Sequence, residues 1–233
     1  MRPEIPARKL LLFDIDGTLL TTHGLGRTSV AAALRRVLGR DVPFDALSFS
    51  GKTDPQIFRE ILRLDAGADE GTFEETFRAT LDAYQEEVHA RVGAAAIEAF
   101  PGAQALVERL ADDDRVALGL VTGNLREMAY LKLDRLGLSS HFPFGAFGCD
   151  HEDRNCLVPI AVERAEAHTG RRFDPAEVVV IGDTPRDIAC ARAAGAVAVA
   201  VATGHVSREQ LAAENPDVLL DTLEQFSFGD LPI

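Results

Sequence analysis

The chain has 233 residues, 46% of them hydrophobic, and its 24 basic and 37 acidic residues give a net charge of −13. This length supports one large domain, or a domain with a smaller companion. The acidic balance disfavours nucleic acid as a partner, because its phosphates demand clustered positive charge, and no stretch approaches the roughly 18 uninterrupted apolar residues of a membrane span.

In chain order, Leu10–Phe13 is an apolar run that reads as a buried strand, and it ends directly in Asp14, Ile15, Asp16 and Gly17. Three helical segments follow with no strand between them. Gly26–Leu38 carries Val30, Leu34, Val37 and Leu38 at helical spacing and stops at Gly39. The second opens with Thr53, Asp54 and Pro55, a cap residue and then a proline in the first turn. It continues through Ile57, Ile61 and Leu64, and the third helix keeps Phe73, Phe77, Leu81, Tyr84 and Val88 in phase.

From there the pattern alternates. Apolar runs at Val116–Val121, Val178–Ile181, Val197–Val201 and Val218–Leu220 are separated by helical stretches at Ala103–Leu110, Leu125–Leu136, Leu157–Thr169, Asp187–Ala194 and Ser207–Glu214. Unbroken apolar strands alternating with helices predict an α/β fold, a Rossmann-like parallel sheet covered on both faces. Residues 1–21 and 94–233 then form the core, and 22–93 form an α-helical cap inserted after the first strand.

Three of the strands end in polar residues: Asp14, Thr122 and Asp183. The carboxyl ends of parallel strands share one edge, where ligands bind. Asp14, Asp16, Asp183 and Asp187 would therefore converge, and like charges at close range stay ionised only with a cation among them. Oxygen ligands alone favour a hard ion, and a small carboxylate set suits Mg²⁺. Such an ion would also let an anionic phosphate approach an anionic nucleophile. Taken singly, each segment has a structural explanation. Asp16-Gly17 is a common turn, and Thr184, Pro185 and Asp187 suit a helix start. A calcium loop fails because Leu19 and Leu25 stand where it needs glycine and glutamate.

Together, "DIDGTL", "VTGN" and "GDTPRD" resemble the motifs of the haloacid dehalogenase superfamily, and the helical insertion resembles the cap of its phosphoglycolate phosphatase-like members. The resemblance implies a Mg²⁺-dependent phosphatase for a small phosphate monoester. In that scheme Asp14 is the nucleophile that forms an aspartyl-phosphate. Asp16 is the acid–base, with its backbone carbonyl on the metal. Thr122, with the N–H groups of Gly123 and Asn124, holds the phosphoryl group, while Asp183 binds the metal and Asp187 binds it through water or orients its ligands. A lysine usual to the family between the last two motifs is missing. Lys9, Lys52 and Lys132 are the only lysines, and Lys132, soon after Thr122 within a helix, stands in the wrong place for that role. Arg154 is the expected substitute, because a guanidinium keeps the charge and grips an oxyanion with two N–H groups. Lys52, in a cap loop, is a candidate contact for the far end of the substrate.

The expected partner is a small phosphorylated acid or sugar, with neither nucleic acid nor membrane. An acid at position 16 favours phosphate-ester hydrolysis over dehalogenation. A phosphosugar mutase is the nearest alternative, and a non-catalytic regulator is disfavoured because none of the four aspartates is lost. The Cys149, His151 and Cys156 spacing is too irregular for zinc. Cys149, Cys156 and Cys190 form no CxxC pair, which argues against a disulfide framework. With no signal peptide evident in the opening residues, a reducing, cytoplasmic setting is expected.

Overall fold

A computed structural model describes residues 9–65 and 71–231. Strand β1 (Lys9–Phe13) lies at the centre of a parallel sheet, hydrogen-bonded to β4 (Val116–Val121) on one side and β6 (Val178–Gly182) on the other. Beyond these lie β5 (Gly145–Ala146), β7 (Val197–Val201) and β8 (Val218–Leu220), giving the order β5-β4-β1-β6-β7-β8. The α/β fold is the one expected from the alternating pattern.

Side chains of a strand alternate between faces, and here each face feeds a different core. Leu11, Phe13, Val179, Ile181, Val197 and Val199 pack on one side with α4 (Ala103–Ala111) and part of α5 (Arg126–Asp134). On the other side, Leu10, Leu12, Val178, Val180 and the small Ala198 and Ala200 meet α6 (Leu157–Thr169) and α7 (Pro185–Ala193). Buried side chains of this size each stabilise the fold by about 1.5–3 kcal/mol relative to exposure, so the sheet is a stiff platform for whatever stands on its edge. A further helix, α8 (Arg208–Ala213), leads into the last strand.

Helices α1 (Leu25–Leu38), α2 (Asp54–Leu64) and α3 (Phe73–Val92) form a separate apolar cluster around Leu34, Phe58, Ile61, Tyr84 and Val88. Phe58 meets Tyr84 edge-on at 5.3 Å between ring centroids. The cluster also takes in Leu125 and Met128 from the sheet domain's side. Where the chain enters and leaves this segment, β2 (Leu20–Thr21) pairs antiparallel with β3 (Glu98–Ala99). β2, β3 and β5 are two residues long, too short for any period to announce them. Two helices shift slightly against expectation. α5 is shorter at both ends than Leu125–Leu136, and α7 starts at Pro185, with Thr184 as its N-cap, rather than at Asp187.

Candidate active site

Asp14 follows β1 directly and its N–H donates to the Ile181 carbonyl at 2.9 Å, which fixes it at the sheet edge beside β6. The chain turns away two residues later at Gly17, where φ is +90°. A side chain there is excluded on two counts: left-handed backbone disfavours it, and a Cβ would lie 2.2 Å from Asp183 Oδ2. Gly204 closes the other side of the same carboxylate, where a Cβ would lie 1.7 Å from Oδ2. Thr18 donates to Asp183 Oδ1 at 3.2 Å. Asp187 stands in the first turn of α7, and its Oδ2 accepts from the Thr184 N–H at 3.0 Å and hydroxyl at 2.6 Å. One carboxylate oxygen of Asp187, Oδ2, thus serves the helix start, and the other, Oδ1, accepts from Arg154.

Arg154 lies across this floor. Its Nη2 is 3.2 Å from Asp14 Oδ1 and donates to Asp187 Oδ1 as well. Nη2 also reaches the Val121 carbonyl, and Nη1 the Gly51 carbonyl of the helical segment at 3.2 Å. The side chain is 5% exposed, and its Nε is buried with no hydrogen-bond partner. Arg126 and Arg186 do not compete for the place. Arg126 stacks on Phe147 at 4.7 Å and faces Asp150, while Arg186 is exposed.

Carboxylate oxygens of Asp14, Asp183 and Asp187 lie within 4.8 Å of one another, all three residues being buried. Burial pushes the Asp14 carboxyl up to about 6, and Asp187 adds to this while Arg154 opposes it. Asp183 is held well above the usual carboxylate range by burial and then by Asp187 and Asp14. Burial would lower the Arg154 guanidinium, but Asp14 and Asp187 more than offset it. Three acids against one arginine leave an excess of negative charge in an oxygen-only, buried set, which fits a divalent metal ion. The glycine cradle around Asp183 fits the same purpose, since it holds one oxygen ligand rigidly with no side chain in the way.

Asp16 does not join that cluster with its side chain. Its Oδ2 accepts from Asn124 Nδ2 at 2.7 Å and from Lys132 Nζ at 2.6 Å. Lys132 also donates to Asn124 Oδ1 at 2.5 Å, and Asn124 Nδ2 to Thr122 Oγ1 at 2.8 Å. Lys132 is therefore a site residue, although from sequence it falls outside the site. Its signal was present: it shares the buried face of α5 with Met128, Ala129 and Leu133, an odd place for a lysine. Thr122, Gly123 and Asn124 stand at the end of β4. Gly123 is pressed against the helical segment, since a Cβ there would lie 2.1 Å from the Lys52 carbonyl.

Above the floor is a cavity of about 620 Å³ reached by Asp14, Asp16, Thr122, Arg154 and Asp183 from the sheet side and by Lys52 and Tyr84 from the helices. Lys52 pairs with Glu60, so its charge is already partly answered. Asp54, also at the cavity, has its carboxyl pushed up to about 6 by burial against the pull of Lys132 and of the Leu125 N–H.

The haloacid dehalogenase-like hydrolase family profile matches residues 8–195, most of the chain. The chain belongs to that family. Similar to it is a phosphoglycolate phosphatase of Synechococcus elongatus, 34% identical over 127 residues, 54% of this chain and 57% of that one. A phosphoglycolate phosphatase of Chromobacterium violaceum is 26% identical across 88% of this chain and 90% of its own. The crystal structure of CbbY from Rhodobacter sphaeroides in complex with phosphate superposes with a TM-score of 0.77 at 19% identity, covering 97% of this chain and all of that one. At that identity the likeness to CbbY is one of fold. No helix among the described residues of this haloacid dehalogenase-like hydrolase is long and apolar enough to cross a membrane.

Proposed function

We infer that this family member is a phosphatase that hydrolyses a small phosphate monoester through a covalent phosphoryl-Asp14, with residues 22–93 acting as its cap. The observation that carries the reading is the arrangement of Asp14 under Arg154, with Asp183 and Asp187 beside it and Asp16, two residues on, lining the same cavity. The relatives named as phosphoglycolate phosphatases make phosphoglycolate the first ester to test.

The residues divide the work as follows. A carboxylate oxygen of Asp14 attacks phosphorus, and the bond to the leaving oxygen breaks as Asp16 gives that oxygen a proton. Thr122 and the N–H groups of Gly123 and Asn124 hold the phosphoryl oxygens. Arg154 holds Asp14 and offers its charge where negative charge gathers. In the second half Asp16 takes a proton from water, which attacks phosphorus and releases Asp14. Asp14, the Asp16 carbonyl, Asp183 and Asp187 would hold Mg²⁺, which when bound neutralises charge between the phosphate and the acids. Lys52, which lines the cavity from the cap, is the candidate contact for the far end of the substrate.

A screen of phosphate esters with and without Mg²⁺ tests this reading. EDTA should silence hydrolysis and Mg²⁺ should restore it, while Ca²⁺ should serve poorly because it prefers more ligands at longer distances. Full activity in metal-free buffer, or no ester turned over with any divalent metal, would refute it.

A further inference from the structure

We propose that Lys132 is a positioning residue for Asp16, fixing the acid so that one carboxylate oxygen is anchored and the other is presented to the leaving group. The inference rests on the phosphatase reading above. Asp16 stands beyond the end of β1 with a side chain 40% exposed, whereas the Lys132 side chain is 4% exposed. The flexible partner is therefore the carboxylate, and the anchor is the ammonium. Two side-chain donors, Lys132 at 2.6 Å and Asn124 at 2.7 Å, converge on Asp16 Oδ2. That leaves Oδ1 as the oxygen available to carry a proton.

A merely structural account of Lys132 is unfavourable. On the buried face of α5, between Met128, Ala129 and Leu133, a methionine would pack without desolvating a charge, and such replacements of buried ions are often neutral or stabilising. The ammonium is instead shared between Asp16 and Asn124, and Asn124 passes the constraint to Thr122 at 2.8 Å. Asp54 feels the same charge from the cap side. It arrives there because its N–H donates to the Gly123 carbonyl at 2.7 Å and its Oδ2 accepts from the Leu125 N–H at 2.9 Å. One lysine of α5 thus lies between the acid of the core and an acid of the cap, beside the short loop that carries Thr122.

A leaving-group comparison separates positioning from structure. Proton donation matters greatly for an alkyl phosphate, whose alkoxide leaves badly, and little for p-nitrophenyl phosphate, whose phenolate leaves unaided. The quantity to compare is kcat/KM, which reports events up to the first phosphoryl transfer. Lys132→Met should lower it for the alkyl ester by at least ~10²-fold, the lower end of the range for general acid catalysis, and for p-nitrophenyl phosphate by less than ~10-fold. Lys132→Arg should recover part of the alkyl-ester activity. Equal losses on both esters in a variant that melts like the wild type, or no loss on either, would overturn the proposal. Should Lys132→Met lose its cooperative melting, Lys132→Gln carries the same comparison, because it retains a donor for Asp16. An intermediate but still ester-selective loss supports the proposal, and a uniform or absent one overturns it. Wild-type enzyme inactive on both esters would instead bring down the phosphatase reading itself.

Discussion

Replacing the proposed nucleophile should destroy activity and, in the absence of metal, make the protein more stable. The Asp14 carboxyl rises from 3.8 to about 6 on folding, chiefly through burial. A carboxyl raised in the folded state contributes stability that is fully present below its unfolded value. That stability is lost as pH climbs through about 6. At roughly 1.36 kcal/mol per pH unit, a rise of a little over two gives about 3 kcal/mol lost by pH 8. Asp14→Asn carries no charge at any pH and so escapes the loss, while keeping an oxygen for Arg154. For a chain of this size about 3 kcal/mol corresponds to roughly 6–12 °C in Tm. Thermal melts in EDTA should therefore show the variant and the wild type nearly level at pH 4 and the variant well ahead at pH 8. Mg²⁺ at pH 8 should narrow or reverse the gap, because only the wild type offers the full carboxylate set and gains stability by binding. A variant no more stable than wild type at pH 8 in EDTA, or ahead by the same margin at both pH values, would refute the reasoning. So would residual turnover near the wild-type rate.

Arg154→Ala should reduce activity severely, and Arg154→Lys should recover part of it, since the charge returns without the two-pronged geometry; steady-state kinetics alongside Arg126→Ala and Arg186→Ala decide which arginine matters, and full activity in Arg154→Ala would remove it from the site. Asp16→Ala should lower kcat by ~10²–10⁴-fold with metal affinity largely kept, as measured by Mg²⁺ titration; survival of activity with weakened Mg²⁺ binding would reassign Asp16. Gly123→Ala should leave the melting temperature of the core nearly unchanged but raise KM, because its Cβ would sit 2.1 Å from the Lys52 carbonyl and hold the cap away; unchanged kinetics would show that the cap does not need this approach.

The local pattern of the chain was enough for the parallel sheet and for the three helices α1, α2 and α3 that follow its first strand. Alternating apolar strands and helices leave few ways to bury both faces. Asp14, Thr122 and Asp183 were legible as one edge because topology alone puts the ends of β1, β4 and β6 side by side. What the sequence could not settle were contacts made across long separations. Lys132 is 116 residues from Asp16, and no spacing rule connects a helix interior to a loop that far away. The pairing of β2 with β3 lies beyond local pattern for the same reason, as strands of two residues carry no period. The role open to Arg154 also depends on the fold. A polar loop in sequence becomes a buried floor only when α7 brings Asp187 against it and β1 supplies Asp14. Sequence specified which groups face an edge, through periodicity and strand ends. Tertiary packing decided which charge meets which, because ion pairs form between neighbours in space and their energies depend on burial that no single segment possesses.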